Sequence, residues 1–214
     1  MHFDLKKIDV PKAYGLFIGL VAPRPIALVT SLDVDGRLNA APFSAFNYLS
    51  LDPAIVALGV ADRPGKEAPP KDTARNIRAT GQFVINIVTE DIAEAMNICA
   101  IDFPPGVNEL EMAGLSTAES SFVSVPRIRE AHGALECREH MTLEIGRSRI
   151  ILGEVLGVYV EDRFIDAQGH VDAEGLHAIG RMNGLGNYVR TKGAFMNIPR
   201  IPYEDWQEGK GRKQ

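Results

Sequence analysis

Lys71, Asp72 and Thr73 place an ammonium, a carboxylate and a hydroxyl on consecutive residues, and Arg63 lies a short way upstream. Ala68, Pro69 and Pro70 stop any preceding element, and Asp72 or Thr73 can cap a helix that runs through Arg75, Asn76 and Ile77 to a stop at Gly81. A helix N-terminus offers unpaired N–H groups and a partial positive charge. Lys71, the Thr73 hydroxyl and the Arg63 guanidinium would add donors, and the sum is a place for a phosphate. A second group lies nearer the N-terminus. Ser44-Ala45-Phe46-Asn47-Tyr48 sets a hydroxyl, a small side chain, an aromatic ring and an amide side by side. A flat heteroaromatic ligand needs that mixture: apolar contact on its faces and a few hydrogen bonds at its edge. Each motif also has a plainer reading. The first would be an ordinary capped surface helix, and the second a pair of core or interface aromatics, since small-ligand sites are few per protein.

The elements that must position these residues read mostly as strands. Ile26 to Val29 is an apolar run ending in Thr30 and Ser31, the pattern of a short buried strand. Asp33, Val34, Asp35 and Gly36 make the turn, with Gly36 supplying positive φ and the two carboxylates bonding nearby N–H groups. The chain returns through Arg37 to Phe43. Pro42 lacks a ladder donor and marks a strand end, an edge or a bulge. Further strands are expected near 55–61, 82–88, 135–147 and 150–162, with helices near 72–80 and 90–100 and a short one near 109–113. Odd positions from Leu135 to Ile145 are largely apolar and even ones polar, which predicts a half-buried strand. The stretch 101–129 has no clear period, and long irregular stretches in compact domains are often functional.

In this order the segments RPIALVTS (from Arg24), NAAPFSAFNYLSLDPAIVALGV (from Asn39) and KDTARNI (from Lys71) resemble the flavin reductase-like, FMN-binding split-barrel flavoprotein family. The likeness continues in QFVINIV (from Gln82), IILGEVLGVYVED (from Ile150) and GRMNGLGNYVRT (from Gly180), so it spans about Tyr14 to Arg200. It implies a mainly β fold, an antiparallel FMN-binding split β-barrel with peripheral helices. It also implies that Thr30 and Ser31 border the flavin, that Ser44, Ala45, Phe46 and Asn47 run along its ring, and that Arg63, Lys71, Asp72 and Thr73 surround its phosphate and ribityl chain. A late Arg181 and Tyr188 would complete the site. The implied activity is that of an FMN-dependent oxidoreductase, an NAD(P)H:flavin reductase taking hydride from NADH or NADPH to flavin N5. Homodimers with flavin at the subunit interface, and a partner monooxygenase, belong to the same resemblance. In one respect the sequence departs from it. Many members carry Gly-Asp-His where this chain has Gly146-Arg147-Ser148, and His140 is about eight residues from the place of that histidine. Arg147 and Arg149 then stand either as contacts for an anionic substrate or the phosphates of a pyridine nucleotide, or as solvated strand residues. An oxygenase using bound flavin on an organic substrate, and a flavin-binding protein without activity, stay as alternatives, and no catalytic side chain is singled out.

Composition restricts the remaining classes. The 214 residues suit a single domain with a full core, because β-barrels often run past 200 residues. A net charge of −5 gives no broad basic surface for nucleic acid, and the basic end (Lys210, Arg212, Lys213) reads as a frayed tail. No apolar run reaches the roughly 20 residues of a membrane span, and Met1 to Lys7 lacks a signal-peptide pattern, so a cytoplasmic location is expected. Cys99 and Cys137 are far apart and read as buried reduced thiols, and the five histidines show no metal-ligand spacing. Gly184-Leu185-Gly186 lacks the third glycine of a dinucleotide fingerprint, and Gly65-Lys66 is followed by Glu67 rather than the Ser or Thr of a P-loop.

Overall fold

A computed structural model describes residues 1–63, 65, 69–104, 106–184 and 186–208. Ala68, the Lys66-Glu67 pair and the basic C-terminal end, which carry expectations above, lie outside the described residues. The chain opens with α1 (Val10–Leu20) and continues through β1 (Ala27–Leu32), β2 (Leu38–Phe43), β3 (Phe46–Leu51) and β4 (Ala54–Ala61). Next come α2 (Asp72–Thr80), β5 (Gln82–Ile87), α3 (Ala93–Ile98) and α4 (Glu109–Met112). Two short strands, β6 (Thr117–Ala118) and β7 (Arg127–Ile128), precede the long hairpin β8 (Gly133–Ile145) and β9 (Ser148–Val160). A ribbon of β10 (Ile179–Arg181) and β11 (Tyr188–Arg190) and a terminal α5 (Tyr203–Gln207) complete it.

Seven strands form one antiparallel sheet in the order β2-β1-β5-β8-β9-β4-β3. Its two edges, β2 and β3, are consecutive in the chain and joined by Ser44 and Ala45. The Gly59 N–H donates to the Ala45 carbonyl at 2.7 Å, which brings β4 against that link and curls the sheet round into the expected barrel. A Cβ on Gly59 would stand 2.8 Å from the Ala45 Cβ, so the closure needs glycine there. Inside lie Val29, Phe43, Leu58, Phe83, Ile85 and Cys137. A second cluster, including Leu28, Ala40, Met96, Leu110, Ile128 and Ile179, packs α3, α4 and the β10 ribbon on the outer face of β1 and β2. That cluster fixes the peripheral helices beside β2, where the candidate site lies.

Local chemistry explains most boundaries. Asp33 accepts the N–H groups of Asp35 and Arg37 at 2.9 and 2.8 Å, and Gly36 has φ +78, as the acidic turn required. α2 spans the expected residues and ends on Gly81 in the left-handed region. Its N-cap is Lys71, however, and neither Asp72 nor Thr73 makes a side-chain capping bond: Asp72 is the first helical residue and turns its carboxylate to arginines instead. The expected helix over 90–100 is a 3-10 turn (Glu90–Ile92) followed by α3.

Three differences from the sequence reading have physical causes. Phe46 to Leu51 is a strand, β3, which the sequence hides because four of its six residues are exposed and Tyr48, Leu49 and Leu51 among them are apolar, so no alternation shows. α1 was not expected, although Asp9 caps it by accepting the Lys12 N–H at 2.8 Å and Pro11 sits in its first turn. The half-buried pattern of β8 holds only for its first half. Leu135 and Cys137 face the core, whereas Met141, Leu143 and Ile145 are exposed, since β5 pairs with β8 only as far as Arg138 and bulges after Glu136 and Glu139 shift the faces. Among the described residues, no helix is long and apolar enough to cross a membrane.

Candidate functional site

Pro42 and Ala100 each border two adjoining hollows beside the β2 edge. The first, about 130 Å³, is faced by Arg63, Lys71, Asp72 and Thr73, with Asn39, Cys99 and Glu109 at its sides. The second, about 210 Å³, is faced by Ser44, Arg181 and Tyr188 together with Tyr14 and Arg24. The structure therefore gathers seven residues singled out in the sequence into one two-part cleft.

The first hollow has the donors an anion requires. The opening N–H groups of α2 have no intrahelical acceptor. Thr73 is 1% exposed, and its Oγ1 accepts the Asn39 amide at 3.1 Å, which aligns the hydroxyl and leaves its own proton for another acceptor. The Lys71 ammonium stands 5.9 Å from the centre of the Phe43 ring and forms no ion pair with a described residue. Arg63 donates to Asp72 and to the Pro70 carbonyl, and Asp72 also holds Arg75. Asp72 is thus a holder of cations rather than an anion-facing donor. The Cys99 thiol donates to the Glu109 carbonyl at 3.8 Å, and burial together with the charge of Glu109 pushes it up to about 12, so it is a neutral wall and not a nucleophile.

The second hollow is framed by one arginine. Arg24 Nε donates to Ser44 Oγ at 3.3 Å, Nη1 to the carbonyls of Ile18 and Val21 at 3.0 and 2.8 Å, and Nη2 to the Met182 carbonyl at 2.7 Å. Its backbone exchanges two hydrogen bonds with Arg181, at 2.9 and 2.8 Å. α1, the β2–β3 link and the β10 ribbon are all tied to this one side chain. Opposite, the Arg181 guanidinium stacks 4.6 Å from the centre of the Tyr188 ring, a flat cationic surface suited to an aromatic ligand.

A domain model described as flavin reductase like domain matches residues 20–175. The chain belongs to that family. The 2-nitrobenzoate 2-nitroreductase of Pseudomonas fluorescens is similar at 36% identity with a TM-score of 0.84, over 95% of this chain and 97% of that one. Nitrilotriacetate monooxygenase component B of Bacillus cereus is similar at 32% identity and TM-score 0.85, over 92% and 98% of the two chains. A split-barrel protein of Shewanella frigidimarina shares the fold at 21% identity and TM-score 0.78, over 95% and 99%.

Within this flavin reductase-like frame the other singled-out residues lie elsewhere. Thr30 and Ser31 are fully buried. Thr30 donates to the Pro126 carbonyl at 2.8 Å and accepts from the Asn86 amide at 3.3 Å, while Ser31 accepts from the Asn76 amide at 3.2 Å. They stand behind β2 as supports of α2 and β5. Ala45 packs near Gly59, Phe46 packs on the barrel core, and Asn47 is exposed and accepts the Tyr48 N–H at 2.9 Å. None of these three faces the cleft. Arg147 donates to the Arg63 carbonyl at 2.6 Å, and Arg149 pairs with Asp62, so both arginines anchor the connection leading from β4 toward Lys71.

Asn39, Glu109 and Arg24 were not predicted. Asn39 and Arg24 lie within the segments that carried the resemblance, but only the folded chain brings them against Thr73 and Ser44. A larger hollow, about 420 Å³, lies away from the cleft beside His132. There His132 bridges Asp91 at 2.8 Å and Glu161 at 2.6 Å, and Glu90 pairs with Arg190. Its charges are matched by one another, so it offers a ligand less than the smaller cleft does.

Proposed function

We propose that the cleft binds FMN, with the phosphate at the α2 N-terminus beside Lys71 and Thr73 and the ring toward Ser44, Arg181 and Tyr188, and that the protein is an FMN-dependent oxidoreductase. The observation that carries this reading is the pairing of one phosphate-sized, donor-rich hollow with an adjoining flat cationic–aromatic one. Bound FMN supplies acceptance of hydride at N5 from a reduced nicotinamide, NADH or NADPH, and delivery of electrons to a second acceptor. The chain's own residues bind and orient. Lys71, the Thr73 hydroxyl and the α2 N–H groups take the phosphate, and Arg63 reaches it by exchanging Asp72 for the incoming anion. Arg24 holds Ser44 in place at the ring end, and Tyr14, Tyr188 and Met96 narrow the access of water. No described side chain is assigned a proton transfer.

The likeness to a monooxygenase component B supports a reductase that hands electrons to a partner oxygenase. The likeness to a nitroreductase at 36% identity favours a second reading, in which electrons pass within the same cleft to an organic acceptor. Exposed Tyr48, Leu49 and Leu51 on β3, with Val10, Tyr14 and Phe17 on α1, support a homodimer whose partner covers the cleft, because so much exposed apolar surface favours a partner. A single phosphate subsite favours FMN over FAD. The test is anaerobic addition of NADH or NADPH to the FMN-loaded protein, followed by FMN and FAD titrations and by dilution in sedimentation velocity. Bleaching by a nicotinamide, tighter FMN binding and FMN release as the dimer dissociates are expected. Flavin that stays oxidised with both nicotinamides contradicts the reductase reading, markedly tighter FAD binding contradicts the single-phosphate reading, and a fully loaded monomer contradicts the shared site.

A further inference from the structure

We propose that Glu109 makes binding of the FMN phosphate proton-linked: its carboxylate takes up one proton from solvent as the phosphate enters the hollow, so FMN affinity falls with rising pH and riboflavin affinity does not. This rests on the phosphate reading above and concerns a residue outside it.

Glu109 opens α4, whose N-cap Asn108 accepts the Leu110 N–H at 3.1 Å. That cap fixes the helix against β2 and turns the carboxylate to the sheet edge, where Oε2 accepts the Ala40 N–H at 3.1 Å. Pro42, two residues on along the same edge, has no N–H to offer. Among the described residues Glu109 has no ion pair, and Oε1 has no hydrogen-bond donor. A half-buried carboxylate held by backbone N–H groups alone, with no described cation paired to it, therefore faces the hollow proposed for a phosphate.

The charges around it leave that carboxylate poorly matched. From α2, Asp72 faces the same hollow, and both Arg63 and Arg75 are turned to it. Across the adjoining hollow, Arg37 is held by Asp33 and Asp35. From the stretch after α3, Asp102 is exposed and screened by water, and Cys99 is neutral. On α4 itself, Glu111 accepts the Asn108 amide. Lys71 is the remaining described cation on the hollow, and the proposed phosphate would engage it. Burial already raises the Glu109 carboxyl above its ordinary value, outweighing the lowering effect of the Ala40 N–H and of its own backbone N–H, and Asp72 adds a smaller push in the same direction as burial. A phosphate arriving in the same small space raises it further, and the complex then holds a proton that the free protein does not. Affinity falls as pH climbs from the free-state pKa to the bound-state pKa, by up to about tenfold per pH unit for one linked proton. The phosphate's own second ionisation, near about 6, acts in the opposite sense and is common to all variants.

The experiment is calorimetric titration of the apo full-length protein with FMN, and with riboflavin as the phosphate-free control. It runs from about pH 5.5 to about 8.5 in buffers of different ionisation enthalpy, so that proton uptake is counted directly. Glu109→Gln keeps an acceptor for the Ala40 N–H. The expected result is proton uptake with FMN in the wild type, none with riboflavin, and loss of that uptake in Glu109→Gln. The variant should bind FMN up to about tenfold more tightly at the alkaline end. Identical pH profiles and proton counts in wild type and variant overturn the proposal; the comparison between the two cancels the phosphate's own ionisation. FMN and riboflavin binding alike at every pH would instead show that the phosphate reading had failed, and the linkage with it.

Discussion

Arg24 and Lys71 stand at opposite ends of one cleft and use their charges differently. Arg24 donates to Ser44 and to three backbone carbonyls, and together those bonds tie the end of α1, the β2–β3 link and the β10 ribbon to one side chain. Lys71 forms no ion pair with a described residue and faces a small hollow whose buried hydroxyl is already oriented by Asn39. A cation whose donors are taken up by the protein is a brace. One left beside unpaired helix N–H groups is available to a ligand. On the proposed reading the cleft has a rigid end for the ring and a responsive end for the phosphate, and substitutions at the two ends should separate stability from binding.

The largest effect should come from Arg24→Ala. Charge-assisted bonds contribute on the order of 1.5–3 kcal/mol each, and their losses here are not additive, so a destabilisation of about 3 kcal/mol is expected. For a chain of this size that lowers Tm by roughly 5–12 °C, read by thermal unfolding of the apo protein. A variant with unchanged Tm but weakened flavin binding would break the distinction drawn between the two ends.

Arg181→Ala sharpens it from the ring side. Losing the cation stacked on Tyr188 removes about 0.5–2 kcal/mol from contact with an aromatic ligand. FMN and riboflavin should weaken by the same factor, roughly twofold to thirtyfold, when titrated in parallel. A loss confined to FMN would move Arg181 to the phosphate.

The smallest effect concerns the matched cluster outside the cleft. Burial raises the Asp91 carboxyl, but the Thr89 hydroxyl and His132 outweigh it and hold it below the ordinary value. A depressed carboxyl contributes stability that is present above its unfolded pKa and is lost as pH falls through the folded one, below about pH 4. Asp91→Asn should therefore cost up to about 1 kcal/mol at neutral pH and progressively less as pH falls below about 4, with flavin affinity unchanged. Denaturant unfolding at neutral and acid pH reads this, and a loss that persists in acid would assign Asp91 a packing role instead.

Much of the barrel was legible because its signals are local. The acidic turn at Asp33 to Gly36, the stop at Gly81 and the apolar runs of β1, β4 and β5 each carry their own chemistry. β3 was hidden because Phe46, Tyr48 and Leu49 are apolar on both faces, so no alternation shows. α1 was passed over although Asp9 and Pro11 announce it. The end of the cleft proposed for a phosphate was visible as Lys71 and Thr73, since a helix start and its donors are adjacent in sequence. Glu109, Asn39 and Arg24 were not, because their partners Ala40, Thr73 and Met182 are chosen by the packing of α4, β2 and β10, which no local pattern encodes.

The most direct test of the account is a comparison of FMN and riboflavin affinities in the wild type and in Lys71→Ala combined with Thr73→Ala. Two lost charge-assisted bonds should weaken FMN by roughly a hundredfold or more, at about 1.4 kcal/mol per tenfold, while riboflavin changes by less than about threefold. Calorimetric or fluorescence titration at one pH and low salt reads both ligands. Equal weakening of the two would show that Lys71 and Thr73 support the fold or the ring, and the assignment of the α2 N-terminus to a phosphate would be contradicted.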